Sequence, residues 1–244
     1  MTLFRLFGLV AALISLGVPA QAQDLSLPFL DGGSVSLRSI QLILLITVLS
    51  LAPAILIMVT CFPFLVTVLA ILRQAIGLQQ SPPNMLIISL ALFLTYFVME
   101  PVFTQAWQAG IAPLLAEEIS PERAFDLTMA PFRDFMAARV DPGTFSELAS
   151  LRPDTDGLVA TPDAPLSLLI PSFLLSEMAR AFQVGFLIFL PFLVIDLVVA
   201  AVLMSMGMMM VPPAVVSLPF KLAFFVVAEG WSLVAGALVR SYGG

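Results

Sequence analysis

Five charges interrupt an otherwise apolar stretch near the end of the 244-residue chain: Glu177, Arg180, Asp196, Lys221 and Glu229 are the only ones between residues 166 and 239. An ionised group in apolar surroundings is costly, so each must either find a partner or stand on a pathway for protons or ions. Glu177 and Arg180 are three residues apart, a helical spacing at which they neutralise each other, and Gln183 continues their face. Asp196 has no base nearby in sequence. Lys221, the only lysine, is its candidate partner, and Glu229 lies about two helical turns beyond it. Three roles fit this set: a structural ion pair, a relay through Asp196 and Glu229, and subunit docking. Between the two arms of this stretch lies Met204-Ser205-Met206-Gly207-Met208-Met209-Met210, which holds five of the chain's 12 methionines. Methionine is unbranched and adaptable, so the cluster suits an apolar constriction that rearranges around varied surfaces; the plainer alternative is core filling.

The residues that are missing exclude much familiar chemistry. The chain has no histidine and one cysteine, Cys61. It therefore offers no His base for a Ser or Cys nucleophile, no Cys/His set for zinc and no disulfide within the chain. No two glycines form a G-x-G, so a nucleotide-binding loop fails as well. No catalytic, cofactor or metal residues are expected, and the chain reads as a non-enzyme. A hydrolase working through paired carboxylates is the enzymatic alternative.

The elements that must position these groups follow from composition. Hydrophobic residues make up 60% and charged residues 11% of the chain, against roughly 45–50% and about 25% in soluble domains. The mean hydropathy is +1.08. The apolar runs are too long and uniform for barrel strands, which leaves an all-α membrane protein. Charge is unevenly placed: ten of 16 acidic and four of ten basic residues lie within 117–163, so this segment carries the whole net charge of −6. A neutral membrane protein interrupted by an acidic insert is not suited to nucleic acid.

Along the chain, residues 1–22 read as a cleavable signal, with Arg5, an apolar run from Leu6 to Val18, and Ala20-Gln21-Ala22 as the cleavage site. Cleavage would put the new N-terminus, near Gln23, in the periplasm; the alternative is an uncleaved first span. After a polar segment, 23–39, residues 40–72 contain no charge. As one helix they would reach roughly 50 Å, so a kinked or segmented element is expected at Pro53 and Pro63. Gly77, Ser81, Pro82 and Pro83 mark a turn, with Gly77 as a C-cap, Ser81 as an N-cap and Pro82 at the first helical position. Residues 40–116 thus form a first helical hairpin.

The insert, 117–163, is expected on the periplasmic side as a small helical cap. Phe125, Met129, Phe132 and Met136 share one face of an amphipathic helix beginning near Ser120. A second hairpin, 164–244, turns at Gly207 and Pro212-Pro213. Gly185, Gly230 and Gly236 suit close approach of helices. Cys61 reads as a small buried apolar residue.

Two blocks of sequence resemble a known family. Ile71-Leu72-Arg73-Gln74-Ala75-Ile76-Gly77, Ser81-Pro82-Pro83-Asn84 and Leu90 to Thr95 are similar to the first signature of the FliP family of flagellar export-gate proteins. Phe182 to Phe186, Ile195-Asp196-Leu197-Val198, the run from Met204 to Pro213, and Leu218-Pro219-Phe220-Lys221-Leu222 resemble the second. The sequence departs from the family pattern at Phe64, where an arginine is usual, at Glu100, and at Glu229, where an aspartate is usual. The resemblance implies a pore-forming subunit of a type III export gate in the bacterial inner membrane, within the flagellar basal body. It also implies a pentamer assembled with FliQ and FliR, other export-apparatus proteins around it, and unfolded flagellar subunits as cargo. In that family the methionine-rich turn helps seal the channel, which makes Met204, Met206, Met208, Met209 and Met210 the gasket candidates. The related injectisome export proteins of virulence systems are the alternative branch, and an ion-coupled transporter using Asp196 and Glu229 is the alternative class.

Overall fold

A computed structural model describes residues 35–78, 82–208 and 210–243. The expected signal at 1–22, Ser81 and Met209 fall outside them. Among the described residues the regular structure is helical, without strands. The elements are α1 (Val35–Met58), α2 (Phe62–Ile76), α3 (Asn84–Ala106, continued through a π-helical turn, Trp107–Ile111, to Leu115), α4 (Pro121–Arg139), α5 (Pro142–Ser150), α6 (Leu166–Ser205), α7 (Pro213–Val227) and α8 (Gly230–Arg240). The chain divides into two units between Leu51 and Ala52, inside α1. In the first unit the described residues belong to α1, and Ile40 and Leu42 to Ile46 are exposed. All of the sites below lie in the second unit.

The protein is an all-α membrane protein. Asn84–Leu115, of 32 residues, and Leu166–Ser205, of 40, are long and apolar enough to cross a bilayer; α7 and α8, bent by 61°, make a third span if counted as one. At 1.5 Å per residue, α6 is about 60 Å long, twice the roughly 30 Å hydrocarbon core.

α2 forms the centre of the second unit. Phe64, Leu65, Val68, Leu69, Leu72, Ala75 and Ile76 are buried along it, a stripe repeating every three or four residues. Ile87, Ala91, Thr95 and Met99 of α3, spaced by four, also face inward. On α6 the four-residue rhythm is Leu169, Phe173, Glu177, Ala181 and Gly185. Gly185 is required where α6 meets α2, because a Cβ there would stand 2.4 Å from Cδ1 of Ile71. Gly230 is likewise fixed by packing, against the Phe225 ring, with an added Cβ at 2.1 Å from Cε2. Gly236 differs from the expectation, since its nearest neighbour is Arg240 of its own helix.

Three local expectations need correction. The 40–72 run is segmented as expected, but only once, at Val59–Cys61 just before Pro63, which lies in the first turn of α2; α1 continues through Pro53. Second, α3 starts at Asn84 with Pro83 at the cap, so Pro82 precedes the helix instead of opening it. Third, Phe125 is 60% exposed, whereas Ala124, Phe132 and Met136 are buried. The cause lies in the π-helical turn. Gly110 there lies so close to α4 that a Cβ would meet Oγ1 of Thr128 at 2.1 Å and the Ala124 carbonyl at 2.7 Å. That approach turns Ala124 and Thr128 inward and rotates Phe125 to the surface.

The acidic insert is folded. Ser120 caps α4 by accepting from the Arg123 amide at 3.4 Å, and Asp141 caps α5 by accepting from the Thr144 amide at 2.8 Å. These bonds from the Thr144 amide and hydroxyl hold the Asp141 carboxyl below the ordinary aspartate range. Nη1 of Arg133 donates to the carbonyls of Pro162 and Ala164, each at 2.9 Å, and closes the far end of the insert onto α4.

Candidate functional site

Two polar stations and one turn are arranged along α6. The first station surrounds Glu177, whose side chain is 0% exposed. Arg139, from the end of α4, donates through Nε to Oε1 at 2.9 Å, and Arg180, one turn further along α6, reaches the same oxygen at 3.0 Å. The Tyr242 hydroxyl donates to Oε2. Burial and the adjoining carboxylate push the Tyr242 phenol up, so it stays protonated and remains a donor. Nη2 of Arg180 also reaches the Arg139 carbonyl at 3.3 Å, and Oγ of Ser176 accepts from the Asp141 amide at 2.9 Å. The buried charge is thereby neutralised and hydrogen-bonded, the condition under which a buried ion is tolerated. Nearby, burial pushes the Cys61 thiol up to about 12, so it behaves as a small neutral residue.

The second station lies 19 residues further along α6, about 28 Å at helical rise. Here Nζ of Lys221 meets Oδ2 of Asp196 at 2.6 Å and donates to the Ala75 carbonyl at 3.2 Å. Oγ of Ser217 donates to the other carboxylate oxygen at 2.6 Å. Lys221 is buried, while the Asp196 side chain keeps 32% of its surface. The station ties the two arms of the second hairpin together and ties both to the C-terminal turn of α2. That turn ends at Gly77, whose φ of 91° is the left-handed value expected at a helix C-cap, with its amide on the Gln74 carbonyl at 3.0 Å. Nη1 of Arg73 bridges the following turn by donating to the Pro82 carbonyl at 3.3 Å and to Oδ1 of Asn84.

Glu229 does not join either station. It is exposed, makes no ion pair among the described residues, and occupies a left-handed conformation (φ 48°) at the bend between α7 and α8. Trp231 packs its ring edge-on against Phe225 just beyond that bend, with centroids 5.4 Å apart.

Beyond the second station α6 ends in the methionine turn. Gly207 has φ 75°; its amide bonds the Met204 carbonyl at 3.1 Å, and the Met208 amide bonds the Leu203 carbonyl at 3.0 Å. This pair of bonds is the Schellman arrangement, which needs a residue with positive φ and brings Met208 back toward Leu203. The two residues line one wall of an apolar cavity of about 580 Å³, with Met206, Val198, Val202 and Phe220. Met204 and Met206 are exposed, and Met210 is 97% exposed. Pro212 caps α7 and Pro213 begins it, so the return arm starts directly after the turn.

The structure thus brings Glu177 to Arg180 and Asp196 to Lys221, and leaves Glu229 apart. Sequence reasoning missed Arg139 and Tyr242, which come from 38 and 65 residues away. No helical spacing connects them to Glu177.

Comparison with known proteins gives a consistent picture. The FliP family model matches residues 45–238. A relative from Caulobacter vibrioides, "Flagellar biosynthetic protein FliP", is 53% identical over 211 residues, covering 86% of this chain and 79% of the relative. One of the same name from Rhizobium meliloti is 46% identical over 98% of this chain and 100% of its own length. Another, from Bacillus subtilis, is 44% identical over 84% of this chain and 92% of its own. The matched span takes in Arg139, Glu177 and Arg180 of the first station, all of the second and the methionine turn, and on this basis the chain belongs to the FliP family.

Proposed function

We propose that this protein is a non-enzymatic, pore-forming subunit of the flagellar type III export gate. It would sit in the bacterial inner membrane, at the flagellar basal body, and pass unfolded flagellar subunits. Several copies, five by family resemblance, assemble with FliQ and FliR. The observation that carries this reading is the methionine turn: a glycine-closed helix end presents Met204, Met206 and Met210 outward at the tip of a hairpin pinned by Asp196, Ser217 and Lys221. Flexible apolar side chains at a fixed tip suit a ring that blocks ions by excluding water yet deforms around a chain. The three relatives named above, each flagellar by name, favour this branch over the injectisome. An Asp196–Glu229 relay has less support, because Asp196 is already paired and Glu229 stands at the bend without an ion partner among the described residues.

Purification with and without FliQ and FliR, followed by native mass spectrometry, tests the assignment. The expected result is a multi-copy complex that contains both partners. A monomer that ignores both and carries a defined small solute into liposomes would overturn it.

A further inference from the structure

Ser241 and Tyr242, just beyond α8, touch residues from α2, α4 and α6. The Tyr242 ring meets Phe64 edge-on, with centroids 5.5 Å apart, and stacks on Phe135 at 6.1 Å. The Arg139 guanidinium lies 3.8 Å from the centre of the same ring. Its Nη1 also donates to the Ser241 carbonyl at 3.2 Å. The Tyr242 hydroxyl goes to Glu177. Arg139 and Phe135 belong to the acidic insert, whereas Glu177 belongs to the long helix and Tyr242 follows the bent return arm.

We infer that Ser241 and Tyr242 form a strap that sets the position of the acidic insert. Arg139 is the insert's charged contact with Glu177, and the strap supplies both the aromatic face and the carbonyl that hold its guanidinium in line. Without the strap, the Arg139 guanidinium keeps only its bond to the carboxylate, and the turn at Val140–Asp141 is held by α6 alone, through Arg180 and Ser176. The device works in both directions. Movement of the α7–α8 arm, which begins at the methionine turn, is transmitted through Tyr242 to the insert, and displacement of the insert loosens that arm. This coupling is independent of what passes through the gate.

Hydrogen exchange on the purified full-length protein tests it. Tyr242→Ala removes ring and hydroxyl and should speed exchange of the amides from Phe135 to Ser150 about tenfold, the scale of a lost hydrogen bond to a charged group. Amides around Asp196 and Lys221 should be unchanged. Tyr242→Phe keeps the ring, and should give a smaller acceleration, about threefold, confined to the same segment. Should Tyr242→Ala fail to fold, the Tyr242→Phe result decides alone. Unchanged insert amides, or equal acceleration at both ends of the molecule, would overturn the strap.

Discussion

Lys221 is 6% exposed, and its ammonium has two oxygen partners, the Asp196 carboxylate and the Ala75 carbonyl. Removing Asp196 therefore leaves a buried cation facing only a backbone dipole. Asp196→Ala should destabilise the protein by roughly 3 kcal/mol and reduce the amount of assembled complex. Lys221→Met in the same chain removes the stranded charge at similar volume, and should restore much of the loss. Thermal melts and the yield of complex measure both effects. Normal assembly of Asp196→Ala together with loss of export would point to a relay instead. This pair was legible in the sequence because Asp196 has no base nearby and Lys221, the only lysine, stands across the turn. Glu177 and Arg180 were legible from their spacing of three. Arg139 and Tyr242 were not, because the insert has four arginines and nothing in their sequence spacing selects the one that reaches α6.

Helix contacts follow rules that the sequence carries only in part. The burial rhythm of α2 and α6 is visible as apolar spacing, and Gly185 stands out as a small residue within it. On α4, by contrast, residues spaced by three and four fit two neighbouring faces, one through Phe125 and one through Ala124. The choice between them is made by a glycine in a π-helical turn of another element, which local pattern does not reveal. The proline positions show a similar limit: Pro53 lies within α1 while Pro63 lies in the first turn of α2, and only helix boundaries separate the two cases. Packing at Gly185 makes a specific prediction. Gly185→Ala drives a methyl group into Ile71 and should cost about 1–3 kcal/mol. In an Ile71→Ala background, where the obstructing atoms are gone, the same change should cost less than about 0.5 kcal/mol, the non-additivity expected of residues in contact. Melting of detergent-solubilised protein measures the cycle; an equal cost in both backgrounds would contradict the contact.

At the scale of the whole molecule, the long α6 carries a buried ion cluster, an interhelical pair and an exposed methionine tip in sequence, with the acidic insert at the opposite end from that tip. The acidic insert was legible from the placement of charge, which concentrates between residues 117 and 163. The separation of function among them rests on the tip. If the methionines close a pore, shortening them should open it without disturbing the stations that hold the hairpin. The direct measurement uses cells making the complete gate with Met208, Met209 and Met210 all changed to Ala. Ion or small-solute permeability is compared with that of the unaltered gate at equal levels of assembled complex. The account predicts intact assembly and a clear rise in leak. An assembled triple variant as tight as the unaltered gate would contradict it, and these methionines would then be packing residues.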